Sequence, residues 1–85
     1  MNVIRWAPRA ARQLRKIKSE ATRKRIFQKV QSLREFPDCP GVRHLVNHRP
    51  PYRLRVGDWR VLFDYDGAIK VISIESVKKR DEQTY

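Results

Sequence analysis

From Tyr52 to Ser76 apolar and polar residues alternate in three runs, separated by two short turn signals, Gly57-Asp58 and Asp66-Gly67. A period of two puts successive side chains on opposite faces of a pleated strand. A Gly-Asp or Asp-Gly pair between such runs signals a tight hairpin. Strands over residues 52–56, 59–63 and 69–76 are therefore expected to form an antiparallel meander. Two-residue loops at both turns would also set the register. Val56 then faces Trp59, Arg55 faces Arg60 and Leu54 faces Val61; across the second hairpin Leu62 faces Val71, Arg60 faces Ser73 and Val61 faces Ile72. One face collects Tyr52, Leu54, Val56, Trp59, Val61, Phe63, Ile72 and Ile74. The other collects Arg53, Arg55, Arg60, Ser73 and Glu75, with Leu62, Ile69 and Val71 further along.

Ahead of Val42 the period is that of a helix. Asn2 to Trp6 reads as a short first strand, and Ala7-Pro8 as a helix start, since proline is tolerated in a first turn. Ala11, Leu14 and Ile17 give the first helix one apolar face. Ser19, with Thr22 nearby, marks a cap. The second helix runs to about Phe36, burying Ile26, Val30 and Leu33 with Phe27 beside them, and Pro37, Pro40 and Gly41 end it. His44 to His48 reads as an optional extra strand. The expected fold is α+β, in the order β-α-α-β-β-β: an antiparallel sheet with a helical hairpin packed on one face.

Length and charge narrow the function. Residues 1–85 make one domain, and a chain of this size buries only about 60% of its unfolded surface. It carries 20 Lys and Arg against 9 Asp and Glu, a formal net charge of +11. That balance calls for an anionic partner, with nucleic acid first and an acidic protein second. No apolar run approaches the roughly 18–20 residues that span a bilayer. Arg5, Pro8, Arg9 and Arg12 interrupt any signal-peptide core. Cys39 is the single cysteine, so a disulfide framework within the chain and a cysteine-based metal site are excluded, and a reducing cytoplasm is expected.

Like charges directly opposed across a strand pair destabilise it, so Arg55 opposite Arg60 asks for an explanation. Glu75 would offset part of the repulsion; an anionic ligand is the stronger account. A tail reaching back over the open face would bring Arg80 and Tyr85 beside the cluster.

The run Tyr52-Arg-Leu-Arg-Val-Gly-Asp-Trp-Arg-Val-Leu-Phe63 resembles the core motif of the RelE/ParE toxin superfamily. The ending Val77-Lys-Lys-Arg80 followed by Tyr85 is similar to that family's closing signature. The resemblance implies a RelE-like fold and a toxin of a type II toxin–antitoxin system. In the RelE branch it implies a ribosome-dependent, metal-independent endoribonuclease that cuts mRNA and stops translation, with no cofactor. Carried over by position, it implies a catalytic set of Arg53, Arg55, Arg60, Arg80 and Tyr85, with RNA contacts from Arg53, Arg55, Lys78, Lys79 and His48. It implies a cognate antitoxin, the ribosome and mRNA as partners. The ParE branch shares the fold, acts on DNA gyrase and lacks the catalytic set; an inactive basic module that binds only an acidic protein is the remaining alternative. The family's strand-two pair is often lysine, and arginine, which cannot be deprotonated, cannot take over a lysine's role as base.

The other chemistry-bearing residues read as structural. Two histidines, His44 and His48, without carboxylate or thiol partners make a poor metal site. Trp6, Trp59 and Tyr65 read as core or turn residues, and Cys39 as incidental. Arg9, Arg12, Arg15, Lys16, Lys18 and the run Arg23-Lys24-Arg25 read equally as solvated helix faces or as contacts to ribosomal RNA phosphates.

Overall fold

The computed structural model describes residues 1–80. Strand β1 (Val3–Trp6) leads into helix α1 (Pro8–Arg15), then helix α2 (Glu20–Gln31), whose last turn tightens into a 3-10 turn at Ser32–Glu35. Strands β2 (Val42–His44), β3 (Tyr52–Val56), β4 (Trp59–Asp66) and β5 (Val71–Lys79) follow. The sheet order is β1-β5-β4-β3-β2. Three of its pairings are antiparallel, as the meander requires; β1 adds to the far side of β5 in parallel.

The helix starts follow the local chemistry. Pro8 occupies the first turn of α1, where its missing N–H costs nothing. The Ser19 hydroxyl accepts a hydrogen bond from the Thr22 N–H at 3.2 Å, closing the start of α2. The apolar stripes and the inward sheet face meet in one core, with Ala10, Ile17, Ile26, Val30, Leu33, Leu54, Val61, Phe63, Ile72 and Ile74 all buried. Phe63 sits among aromatics: Phe36 meets it edge-on at 5.5 Å and Tyr52 stacks on it at 5.4 Å. Tyr65 also packs edge-on against Phe36, at 5.0 Å. Phe27, expected in the buried stripe, is 47% exposed and instead stacks on Trp6.

The first hairpin has the expected register, with Arg55 opposite Arg60 and Val56 opposite Trp59. Gly57 takes φ +58 at its tip, a conformation glycine adopts without steric cost. The second hairpin corrects the sequence reading. Its loop is residues 67–70, and Asp66 faces Val71. The Asp66 carboxylate accepts from the Ala68 and Ile69 N–H groups at 3.0 and 3.4 Å, which turns an Asp-Gly signal into a longer turn. Arg60 therefore faces Lys78, and Ser73 faces Asp64. The longer loop moves the pairing by an even number of residues, so the two faces keep their members near the loop. Between Leu62 and Phe63 the register slips by one: Phe63 faces Ile74 but Leu62 faces Ser76, leaving Glu75 as the extra residue of a bulge. Beyond it β5 changes face, so Val77 enters the core and Lys78 turns outward beside Arg60.

Buried Asn2 ties the first strand to the end of the helical hairpin. Its side-chain amide donates to the Leu33 and Phe36 carbonyls at 3.1 and 2.9 Å. Its backbone N–H donates to the Arg34 carbonyl at 2.9 Å. Asn2→Ala removes two buried hydrogen bonds and leaves their acceptors unpaired, so the expected loss is about 1–3 kcal/mol. In a domain this size that lowers the melting temperature by roughly 4–8 °C per kcal/mol, which thermal unfolding followed by circular dichroism measures.

Candidate anion-binding site

Three elements build the site. Strand β3 alternates so that Arg53 and Arg55 point away from the helices while Leu54 and Val56 point into the core. The Gly57-Asp58 turn returns the chain with Arg60 directly across from Arg55. At the end of β5 the Arg80 N–H donates to the Asp58 carbonyl, which fastens the departing chain to the same turn. The Arg60 guanidinium donates to the Arg80 carbonyl at 2.8 Å. The result is a concavity of about 130 Å³ lined by Arg53, Arg55, Arg60, Arg80 and Trp59. The Nε of Arg53 is buried and has no hydrogen-bond partner among the described residues. A buried, charged N–H without an acceptor is costly to the folded protein.

Among the described residues no carboxylate lines this concavity. Glu75, expected to offset the arginines, lies instead with Asp64, Asp66 and Ser73 around a separate hollow of about 400 Å³. The bulge and the longer loop are the cause: they carry Glu75 and Ser73 toward the second hairpin and bring Lys78 opposite Arg60. Basic and acidic residues thus separate along the sheet, which steepens the field an anion meets at the arginines.

Of the residues singled out in the sequence, Arg53, Arg55, Arg60 and Arg80 come together. Lys78 sits across the strand from Arg60 and Lys79 across from Trp59. His48 is elsewhere: the strand expected over His44 to His48 instead spans Val42–His44, and His48 Nδ1 donates to the Pro50 carbonyl at 2.8 Å. Tyr85 lies outside the described residues. Among the described residues no group of three or more His, Cys, Asp or Glu side chains could hold a metal ion, and no helix is long and apolar enough to cross a membrane. Burial pushes the half-buried Cys39 thiol up, so it stays protonated at neutral pH.

Two residues escaped the sequence reading. Arg43 on β2 faces Arg53, extending the basic row by one strand. The signal was a three-residue strand, too short for alternation to show. Trp59 packs against the core but also walls the arginine concavity, a double role that period-two reasoning cannot assign.

Residues 4–84 match the family described as the ParE toxin of the type II toxin–antitoxin system parDE. The chain belongs to that family. As a toxin of the RelE/ParE superfamily it has the fold its neighbours lead one to expect. Isolated RelE toxin from Escherichia coli superposes with a TM-score of 0.79 at 18% identity, covering 98% of this chain and 88% of that one. The toxin–antitoxin complex RelBE2 from Mycobacterium tuberculosis contains a chain with a TM-score of 0.77 at 17% identity, covering 93% and 98%. The archaeal RelE–RelB complex from Pyrococcus horikoshii OT3 gives 0.76 at 23% identity, covering 96% and 98%. No curated protein matches the toxin's sequence.

The opposed cations predict a trade between stability and binding. Arg55→Gln relieves repulsion from Arg60 and should stabilise the free toxin by about 0.2–1 kcal/mol at low salt. The gain should shrink as salt rises, because exposed charges are screened. The same variant should bind single-stranded oligonucleotides more weakly. Melting curves at two salt concentrations and a binding titration check both halves.

Proposed function

We propose that this toxin is an endoribonuclease that cuts mRNA on the ribosome and so arrests translation in the cytoplasm. The observation that carries the reading is the concavity itself: four guanidinium groups around one small hollow. That arrangement suits a phosphodiester, because guanidinium groups hold phosphate oxygens bidentately.

In this reading the ribose 2′-oxygen attacks the neighbouring phosphorus. Its proton passes to a base, the P–O5′ bond breaks, and the departing 5′-oxygen takes a proton, leaving a 2′,3′-cyclic phosphate and a 5′-hydroxyl. Arg55 and Arg60 oppose the charge that grows on the phosphate oxygens. Arg80 stands near the leaving oxygen. No arginine can be the base; Tyr85, which the family resemblance implies as a site residue, is a candidate for that role or for stacking on a nucleobase. The ribosome supplies orientation, which accounts for much of the rate in a step of this kind.

A cognate antitoxin is the second partner. Between α1 and α2 a groove of about 450 Å³ has Leu14 and Phe27 in its walls and Arg15, Arg23 and Lys24 around them. An acidic amphipathic helix fits that combination. The neighbouring RelE folds in two of the compared structures are seen with their RelB partners, which supports the same expectation.

One observation favours a different activity. The cluster is all arginine where a lysine base would be possible, and the matching family is described as ParE, so inhibition of DNA gyrase without RNA cleavage is the second reading. Brief induction followed by primer extension on a translated reporter mRNA separates them. The nuclease reading expects new ends inside the translated region that disappear with Arg60→Ala, with Tyr85→Phe and when initiation is blocked. Growth arrest with intact mRNA and DNA damage would establish the gyrase reading instead.

A further inference from the structure

A second basic concavity lies on the other side of Trp59. Strand β1 stops pairing where Trp6 faces Ile74, but β5 continues to Lys79. The last stretch of β5 therefore has α1, not a strand, along its outer edge. There the Gln13 side-chain oxygen accepts from the Val77 N–H at 2.7 Å, taking the place of a strand partner. Buried Ile17 and Val77 form an apolar floor. Lys16, Lys78 and Lys79 stand around a hollow of about 240 Å³ whose shared wall with the arginine concavity is Trp59. Among the described residues no carboxylate lines either hollow.

We propose that the lysine concavity of Lys16, Lys78 and Lys79 holds the phosphate adjacent to the one in the arginine concavity, with the intervening nucleotide packed on Trp59, so that a single RNA strand is gripped on both sides of that ring. The proposal rests on the RNA-cutting reading and adds the path of the strand. The two hollows differ in the chemistry they offer. Guanidinium groups fix a phosphate in two directions at once, which suits the phosphate that reacts. Ammonium groups are hydrated point charges that hold a phosphate without fixing its orientation, which suits one that must be released after cleavage. An aromatic wall between cationic hollows is the usual composition of a single-strand platform, because every base has a face to stack and every linkage a charge. Half-buried Trp59, packed against the core on one side, is held in place before RNA arrives.

The test uses non-cleavable 2′-O-methyl oligoribonucleotides of two and four nucleotides, titrated by fluorescence anisotropy against the full toxin and its K16Q/K79Q variant. Both substituted lysines are exposed, so the variant should fold, and its melting temperature confirms that. The expected result is that the toxin binds the tetranucleotide about tenfold more tightly than the dinucleotide, about 1.4 kcal/mol. K16Q/K79Q should lose that gain, keep its dinucleotide affinity, and show a salt dependence flatter by about 0.7, the slope of one single-strand phosphate. In a Trp6→Phe background the tetranucleotide should also quench Trp59 fluorescence. Equal length dependence in toxin and variant, or no quenching, overturns the proposal. So does a variant that binds RNA normally but has lost affinity for an acidic helical peptide, because the surface would then belong to a protein partner. An Arg60→Ala control separates this from failure of the underlying reading: if it leaves dinucleotide binding intact, the arginine site itself is not a phosphate site.

Discussion

Lys78 joins the outward pair Arg55 and Arg60 because β4 and β5 pair around a bulge. Up to Phe63 and Ile74 the hairpin is regular, with Phe63, Ile72 and Ile74 in the core. Had that register continued, Glu75 would stand opposite Leu62 and Lys78 would share a face with the core residues. Skipping Glu75 reverses the alternation of the last residues of β5, burying Val77 and presenting Lys78 beside Arg60. The position of Lys78 follows from that one extra residue, while the bulge and the longer second loop together carry Glu75 and Ser73 away from the arginines.

The core is what makes such a surface tolerable. Phe63 with Phe36, Tyr52 and Tyr65 packs one face of the sheet densely, and Asn2 locks the end of the helical hairpin to β1. On the other face the chain keeps like charges directly opposed and leaves the Arg53 Nε buried without an acceptor. Neither feature helps the free protein fold. The opposed charges are relieved when an anion fills the hollow, which is how a binding site differs from a merely solvated basic surface.

Much of this was legible in the sequence, and the failures have physical causes. Alternation from Tyr52 to Phe63 fixed the first hairpin and the inward face, because a two-residue loop leaves one register. The helices were legible from their apolar spacing and from Pro8 and Ser19 at their starts. The second hairpin was misread because Asp66 uses its own carboxylate to hold two loop N–H groups, an interaction that the Asp-Gly pair does not announce. The bulge at Glu75 leaves no compositional trace, so the opposition of Arg60 and Lys78, and the departure of Glu75 from the cluster, had to come from the structure. Of the proposed site, the four arginines were named from the sequence and are brought together. Arg43 and the second role of Trp59 were hidden by a strand too short to alternate and by a residue that serves two environments.

The arginine concavity is proposed to hold a phosphodiester between Arg53, Arg55, Arg60 and Arg80. The most direct measurement follows the arginine Nε–Hε resonances of isotopically labelled toxin by NMR during titration with a non-cleavable dinucleotide. The account predicts that the Nε–Hε signals of Arg53, Arg55, Arg60 and Arg80 move, while backbone signals around Asp64 and Asp66 stay still. Shifts confined to the arginines of α1 and α2, with Arg53 unmoved, would contradict it and place the anion site on the helices.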